Sequence, residues 1–456
     1  MPRCTIEDIP NEILLQIVQD PSVQLLEQLR LSLTSRRLRS IAELCLYRAL
    51  TFKDLTSLQK FLRTIVSRPE LGAITRYLDV CLWIDVDDHD LDEREMTIIQ
   101  KLAREKGMSS RAVSELEGGF CQPYFLLLLH LLPKLESLKL RLMDPEETRW
   151  AWGQGDHHGP TPPCLQSLST LEMFDVLAAE DVGRFIMSLP ALDSFRVISF
   201  QGNGAIRWDK GDANAEEDSG GDVFRSSRYV KRSSKLKELR LYQAIAEAPF
   251  LEDILQIPEA LETFHLNFAS LGVCYDINAI KGVVKALRYQ ANTLTTLSLT
   301  ALNLWSSGPC VGPFVSFRDF PLLKELTVSC TFLLGHPAFY APCGWTAFFN
   351  LLPSTLTSLT VHVGVIRVCE NRKWTMVHGF LDAIERGEDR VNRWRQERGQ
   401  RVPHLKTFSL WINEDPINDR EELEALGITI DPRSRWEDDQ WLDDHLSFQD
   451  PADPYY

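Results

Sequence analysis

The sequence predicts an α/β chain: a small three-helix unit at the N-terminus, then a long array of helix-and-strand repeats whose strands form a parallel sheet. Three observations lead there. Apolar residues recur at helical spacing through the first fifty residues, with capping residues and a proline where helix starts need them. One frame, Leu-x-x-Leu-x-Leu or a close variant, returns nine times between Leu135 and Leu410. A proline stands before many of these frames, and the residues ahead of it are often helical and apolar, so each repeat reads as helix, stop, short strand.

In the N-terminal unit, Ile9, Ile13 and Ile17 recur every four residues beside Leu14 and Val18, which gives one helix face an apolar stripe. Pro10 fits the first turn of that helix, where a missing N–H does no harm. Thr5 or Asp8 can accept from the open N–H groups there. Leu25, Leu26, Leu29 and Leu33 outline a second helix. Ser35 can cap a third, on which Leu38, Ile41, Ala42, Cys45 and Leu46 share a side, with Arg36, Arg37 and Arg39 at its start. Tyr47 to Leu50 close the unit. Three helices in roughly 45 residues cannot enclose a self-sufficient core, and no metal or disulfide spacing compensates. The apolar surplus therefore implies docking, on another chain or on the rest of this one.

This stretch resembles an F-box. The resemblance lies in Ile9-Pro10-x-Glu12-Ile13-Leu14-x-x-Ile17, in the run from Leu29 through Leu31, Leu33, Thr34, Ser35, Arg36 and Arg37 to Leu38 and Arg39, and in the closing Leu46-Tyr47-Arg48. It covers about a tenth of the chain, and it departs from the family at Leu38, often Trp, and at Ile9, usually Leu. The resemblance implies that residues 1–50 dock on a Skp-family linker through Ile9, Pro10, Glu12, Ile13, Leu14, Ile17, Leu33 and Leu38.

Residues 51–70 read as a helical connector, with Leu55, Leu58, Leu62 and Val66 at helical spacing and Arg68-Pro69 as the stop. Ile74, Leu78, Val80 and Leu82 then alternate like a buried strand. Asp85 to Glu95 reads as a solvated acidic loop: in a calcium-loop frame, His89, Asp90 and Met96 occupy positions that need other residues. Tyr124 to Leu132 is too short to span a bilayer and reads as a buried helix.

The nine frames begin at Leu135, Leu168, Leu192, Leu236, Leu261, Leu294, Leu323, Leu356 and Leu405. Such a unit cannot bury its own apolar side, but stacked neighbours bury a continuous core. Over residues 71–430 the pattern resembles irregular leucine-rich repeats. The Asn or Cys expected after the sixth frame position is present only as Asn413, so no regular ladder of buried Asn holds the turns, and repeat shapes should vary. Inserts interrupt the array near 201–234, with the composition of a disordered loop, and near 367–402, which includes a charged, solvated helix from Phe380 to Arg398. Residues 431–456 form an acidic tail.

In each frame the leucines face the core and the intervening residues point to the opposite face of the strand. That face holds Lys139, Arg141, Arg196, Arg240, Tyr242, His265 and Trp411. Four cations gathered there on an acidic protein predict a site for an acidic or phosphorylated segment. The competing expectation is that they only pair with Glu172 and Glu238 beside them.

Composition sets the outer limits. The net charge of −15 argues against a nucleic-acid backbone as the general partner. Ten scattered cysteines suit free thiols in a reducing compartment. No signal peptide and no membrane span are expected, which points to cytoplasm or nucleus. No serine-hydrolase, Walker or zinc-protease motif occurs, and His157, His158 and Cys164 lack a fourth ligand at usable spacing, so no cofactor or metal is expected. What the two resemblances imply is a non-catalytic substrate receptor of an SCF-type cullin-RING ubiquitin ligase, its repeat domain holding a target protein. The alternative is a leucine-rich-repeat scaffold acting outside any ligase.

Overall fold

The computed structural model describes residues 6, 9–20, 22–82, 91–142, 162–174, 183, 186–198, 231–244, 248–268, 277–301, 315–334, 344–363, 390–412, 423 and 426–431. The chain divides into two compact units, residues 1–238 with 257–259, and residues 239–256 with 260–456.

The first unit opens with α1 (Asn11–Val18), α2 (Leu25–Thr34) and α3 (Arg36–Leu46). Pro10 is the N-cap of α1 rather than its first helical residue, and its carbonyl accepts from the Ile13 and Leu14 amides. Thr5 and Asp8 lie outside the described residues. Ser35 caps α3 as expected, its hydroxyl accepting from Leu38 N at 3.1 Å. Leu14, Val18, Leu38, Ile41 and Ala42 form the core of these helices.

The chain then runs through β1 (Ala49–Phe52), α4 (Leu55–Ser67), α5 (Pro69–Gly72), β2 (Tyr77–Leu82), α6 (Glu93–Glu105), α7 (Ser110–Glu117), α8 (Cys121–Leu131), β3 (Ser137–Leu142), a 3-10 turn (Pro163–Gln166), β4 (Thr170–Phe174) and β5 (Ser194–Ile198). β1 to β5 pair in chain order, all parallel. The expected boundary at residue 50 cuts β1 in half: Tyr47 to Leu50 lead into the sheet instead of closing the helical unit. The acidic stretch ends earlier than expected, because Asp92 and Glu95 form a capping box that starts α6. Residues 83–90 lie outside the described residues.

α8 is apolar on every side and is buried on every side, packed against α4 and α7, as an all-round apolar helix must be. Gly72 makes the fit behind it possible, since a Cβ there would collide with the Leu131 carbonyl oxygen at the end of α8. That neighbour is backbone and cannot swing away. Gly72→Ala should therefore cost ~1–3 kcal/mol of stability, read as a lower denaturation midpoint with an unchanged slope.

The second unit carries β6 (Glu238–Ala244, whose first residue belongs to the first unit), α9 (Ala248–Ile254), β7 (Thr263–Phe268), α10 (Ile277–Leu287), a 3-10 turn (Arg288–Gln290), β8 (Thr296–Ala301), β9 (Glu325–Ser329), α11 (Cys330–Leu334), α12 (Gly344–Asn350), β10 (Ser358–Val363), α13 (Arg390–Arg401), β11 (Thr407–Ile412) and β12 (Thr429–Asp431). From β7 to β12 the strands again pair in chain order and in parallel. All nine sequence frames have become strands, and within β3 to β5 and β7 to β11 they stand in matching register: Leu138 lies beside Leu171, Leu297 beside Leu326, Leu359 beside Phe408.

An asparagine ladder is not what stitches the described turns. At the entering end of β2 to β6 and of β8 to β11, two successive amides converge on one carbonyl of the preceding repeat. Arg76 and Tyr77 share Arg48 O, Ser169 and Thr170 share Glu136 O, and Thr357 and Ser358 share Lys324 O. Hydroxyls reinforce the same acceptors, as Ser169 Oγ does on Glu136 O at 3.0 Å and Thr357 Oγ1 on Lys324 O at 2.9 Å. The backbone needs are thus met without a fixed side chain, which lets repeat length vary. Asn413 is outside the described residues.

Two inserts differ from expectation where they are described. The last residues of the 201–234 stretch are ordered, with the Ser233 and Ser234 amides both donating to Ile257 O. The charged helix is not solvated all round: Trp394 of α13 is buried against Trp345, Phe349 and Phe408. The 431–456 tail lies outside the described residues after Asp431. No helix among the described residues is long and apolar enough to cross a membrane.

Candidate protein-interaction surfaces

The N-terminal helices spend their apolar residues in an unusual way. α1 and α3 fill the core with Leu14, Val18, Leu38, Ile41 and Ala42. α2 contributes Ser32 as its buried residue and Leu31 at the core margin. The Gln28 amide reaches inward to donate to Val18 O at 3.0 Å. Leu25, Leu26, Leu29 and Leu33 point the other way and are 69%, 61%, 49% and 71% exposed. Leu25, Leu29 and Leu33 lie four residues apart, so they form one stripe along the helix. On α1, Ile13 and Ile17 are about half exposed, one turn apart.

The expected docking residues therefore separate. Pro10, Glu12, Ile13, Ile17 and Leu33 are exposed and Ile9 is half-buried. Leu14 and Leu38 are not at the surface; they hold α1 and α3 together, and their place in the docking set is corrected on that ground. Leu25, Leu26 and Leu29 join the surface in their stead. The sequence showed the stripe on α2, but a stripe alone does not say which face the neighbouring helices will take.

The α3 end of the unit is fastened to the first repeats. The Arg68 guanidinium grips Glu43 through two hydrogen bonds of 2.8 Å, which holds the Glu43 carboxyl below its usual range. Tyr47 stacks on Phe61 with centroids 6.0 Å apart, and Thr75 Oγ1 donates to Tyr47 O. Neither contact covers the stripe on α2.

The strand face opposite the leucines carries charge in the first unit. Register places Asp79, Lys139, Glu172 and Arg196 side by side on β2 to β5. Lys139 Nζ lies 3.2 Å from Glu172 and Arg196 lies 3.8 Å from the same carboxylate. Signs alternate along the row, so two of the four cations expected to meet an acidic ligand, Lys139 and Arg196, are met by Glu172 within the chain. Two residues further along, Phe174 pairs in register with Arg141, and its ring lies under both Lys139 and Arg141, which stand 5.0 and 4.7 Å from its centroid. Ser194 Oγ donates to Glu238 at 2.8 Å.

The remaining expected residues lie in the second unit. Arg240 and His265 are half-buried, whereas Tyr242 and Trp411 are buried. These last two belong to a covered polar row rather than an open face. In that row Asn267 Nδ2 donates to Thr300 Oγ1 at 2.9 Å, Ser329 Oγ lies 3.4 Å from His362 Nδ1, and the His362 and Trp411 rings pack at 4.2 Å between centroids. Burial pushes the His362 imidazole down to about 4, so it is neutral at pH 7. His362 was not singled out in the sequence, and the burial of Tyr242 and Trp411 was missed, because the residues that cover a strand face are distant in the chain.

A pH dependence follows. The folded value lies below the unfolded one, so between about 6.5 and about 4 the unfolded chain holds a proton that the folded chain does not. Stability should fall as pH drops through that window, by ~3 kcal/mol in total, and stay low beneath it. His362→Phe keeps the ring on Trp411 and should flatten the curve of denaturation midpoint against pH over this window. An unaltered curve in that variant would show that His362 does not carry the dependence.

Among the described residues no group of His, Cys, Asp or Glu is placed to hold a metal ion. Cys164 is buried and its thiol is pushed up to about 12, which leaves it a poor ligand and nucleophile. His157 and His158 are outside the described residues.

No family model matches the chain, and no curated protein matches it. Among solved structures, it is similar to the leucine-rich-repeat-containing protein LegL7 from Legionella pneumophila, at 13% identity and a TM-score of 0.32, over 65% of this chain and 82% of that one. It is also similar to the Rad7 and Elc1 complex in yeast, at 14% identity and a TM-score of 0.25, over 80% and 91% of the two chains. Both scores are too low to carry a functional inference.

Proposed function

We propose that this chain is the substrate receptor of an SCF-type cullin-RING ubiquitin ligase, with α1 to α3 docking on a Skp-family linker and the leucine-rich-repeat-like sheet holding a target protein. The observation that supports it most is the outward stripe of α2, which keeps three regularly spaced leucines in water while serine and glutamine face the core. Leaving that much apolar surface open is costly unless a partner covers it; burial would contribute on the order of 1.5–2 kcal/mol per leucine. The chain itself performs no bond chemistry in this reading. It acts in cytoplasm or nucleus and supplies proximity, raising the effective concentration of target lysines. The target sits on the face of Lys139, Arg141 and Arg196, and an acidic or phosphorylated segment must displace Glu172 there to be held.

A second reading, a repeat scaffold capped by its N-terminal helices, draws on the Glu43–Arg68 and Tyr47–Phe61 contacts. Those contacts use the end of α3 and leave α2 unexplained. Incubating the purified full chain with a purified Skp-family protein separates the two. A stable complex supports the receptor; absence of a complex at micromolar concentrations leaves the scaffold.

A further inference from the structure

The arginines at the start of α3 have a use that docking does not absorb. They precede a serine, in the order Arg36-Arg37-Leu38-Arg39-Ser40, and Ser40 is exposed on the outer side of α3. We propose that Ser40 is a phosphorylation site for an arginine-directed protein kinase, and that its phosphate loosens α1 by drawing Arg37 away from it; only the consequence for linker docking rests on the reading above. In the transfer the Ser40 hydroxyl proton is lost, a bond forms between Oγ and the terminal phosphorus of a nucleoside triphosphate, and the diphosphate leaves.

The helix geometry supplies the recognition and the response. Kinases of this class read guanidinium groups a few residues ahead of the acceptor, and Arg37 and Arg36 stand three and four residues ahead of Ser40. Residues at that spacing share a helix face, so both guanidinium groups lie within reach of a phosphate on Ser40. Arg37 already has work to do: its Nε donates to Asn11 Oδ1 at 2.8 Å, and its Nη2 donates to Ile9 O. Those two of its bonds tie α3 to the start of α1, and the acceptors in these two are neutral. A phosphate brings close to two negative charges and accepts a bidentate guanidinium, in hydrogen bonds roughly twice as strong as neutral ones. Glu43, one turn further on, would repel the phosphate, but Arg68 already grips its carboxylate. The Ser40 hydroxyl donates to Arg37 O at 2.8 Å, a bond within its own helix, so its removal leaves the packing intact. A three-helix unit this small opens locally at modest cost, which admits the kinase to a helical serine.

The test uses the full chain, a purified arginine-directed kinase and ATP, with the phosphate mapped by mass spectrometry and amide hydrogen exchange followed in α1. Phosphate should appear on Ser40 and be lost in Ser40→Ala. In the modified chain the Ile13 and Leu14 amides should exchange about ten-fold faster while α3 keeps its protection, as expected for the loss of about two hydrogen bonds. Capture of a Skp-family protein should weaken in step. If the denatured chain accepts phosphate on Ser40 and the folded chain does not, the site is closed and the proposal fails. It fails equally if Ser40 is modified and α1 exchange is unchanged. Should the unmodified chain fail to bind the Skp-family protein, the docking reading falls, while mapping and exchange still decide this one.

Discussion

Changing Leu29 and Leu33 together to Ser should abolish capture of a Skp-family protein and leave the chain folded. Both side chains stand in water, at 49% and 71% exposure, on the outward stripe of α2. Exposed substitutions away from caps and cores usually alter stability by less than about 0.5 kcal/mol. The same two leucines, buried under a partner, would each contribute on the order of 1.5–2 kcal/mol, so their joint loss weakens the complex at least ~100-fold. Circular dichroism and the denaturation midpoint should not move. Leu38→Ser makes the contrast: it strikes the core formed with Leu14, Ile41 and Ala42, so it should lose both fold and binding and cannot report on the surface. Pro10→Ala with Ile13→Ala tests the α1 side of the same surface. If the α2 double variant is captured as well as the parent chain, the stripe is not the dock and the receptor reading loses its main support.

How far the sequence could be read depended on whether the signal was local. The Leu-x-x-Leu-x-Leu frame combines the strand period with a core row, so every occurrence from Ser137–Leu142 to Thr407–Ile412 was legible. β1 and β12 carry no such frame; they are short, and they become strands because β2 and β11 offer an edge to pair with. α2 was legible as a helix, but its orientation was not, since α1 and α3 satisfy each other's core first. On the sheet face, the positions of Lys139 and Arg196 were correct, whereas their joint hold on Glu172 arises from register between strands and could be written down only as a competing expectation. The burial of Tyr242, His362 and Trp411 depends on what covers the strand ends, and no local pattern encodes that.

Trp394→Ala should be the most damaging single change in the second unit, at ~3–5 kcal/mol. Its helix, α13, carries arginines at 390, 393, 395, 398 and 401 and looks soluble from every side in sequence. The indole is nonetheless 1% exposed, edge-on to Trp345 at 4.7 Å, 5.0 Å from Phe349 and stacked on Phe408 at 5.2 Å. Around it, Arg398 lies 5.9 Å from the ring and donates to Leu405 O, while Arg401 holds Glu397 at 2.6 Å and reaches Asn350. The guanidinium groups therefore fasten the C-terminal end of the helix and the tryptophan fastens its middle. Removing the indole leaves a cavity bordered by three aromatic rings that cannot collapse together, because α12, β11 and α13 each hold one side of it. A repeat array transmits such damage mainly to nearest neighbours. Hydrogen exchange should thus accelerate in β10 and β11 while the β2 to β4 amides of the first unit stay protected. A loss below about 1 kcal/mol, with β11 unaffected, would show that α13 is not seated on the second unit through Trp394.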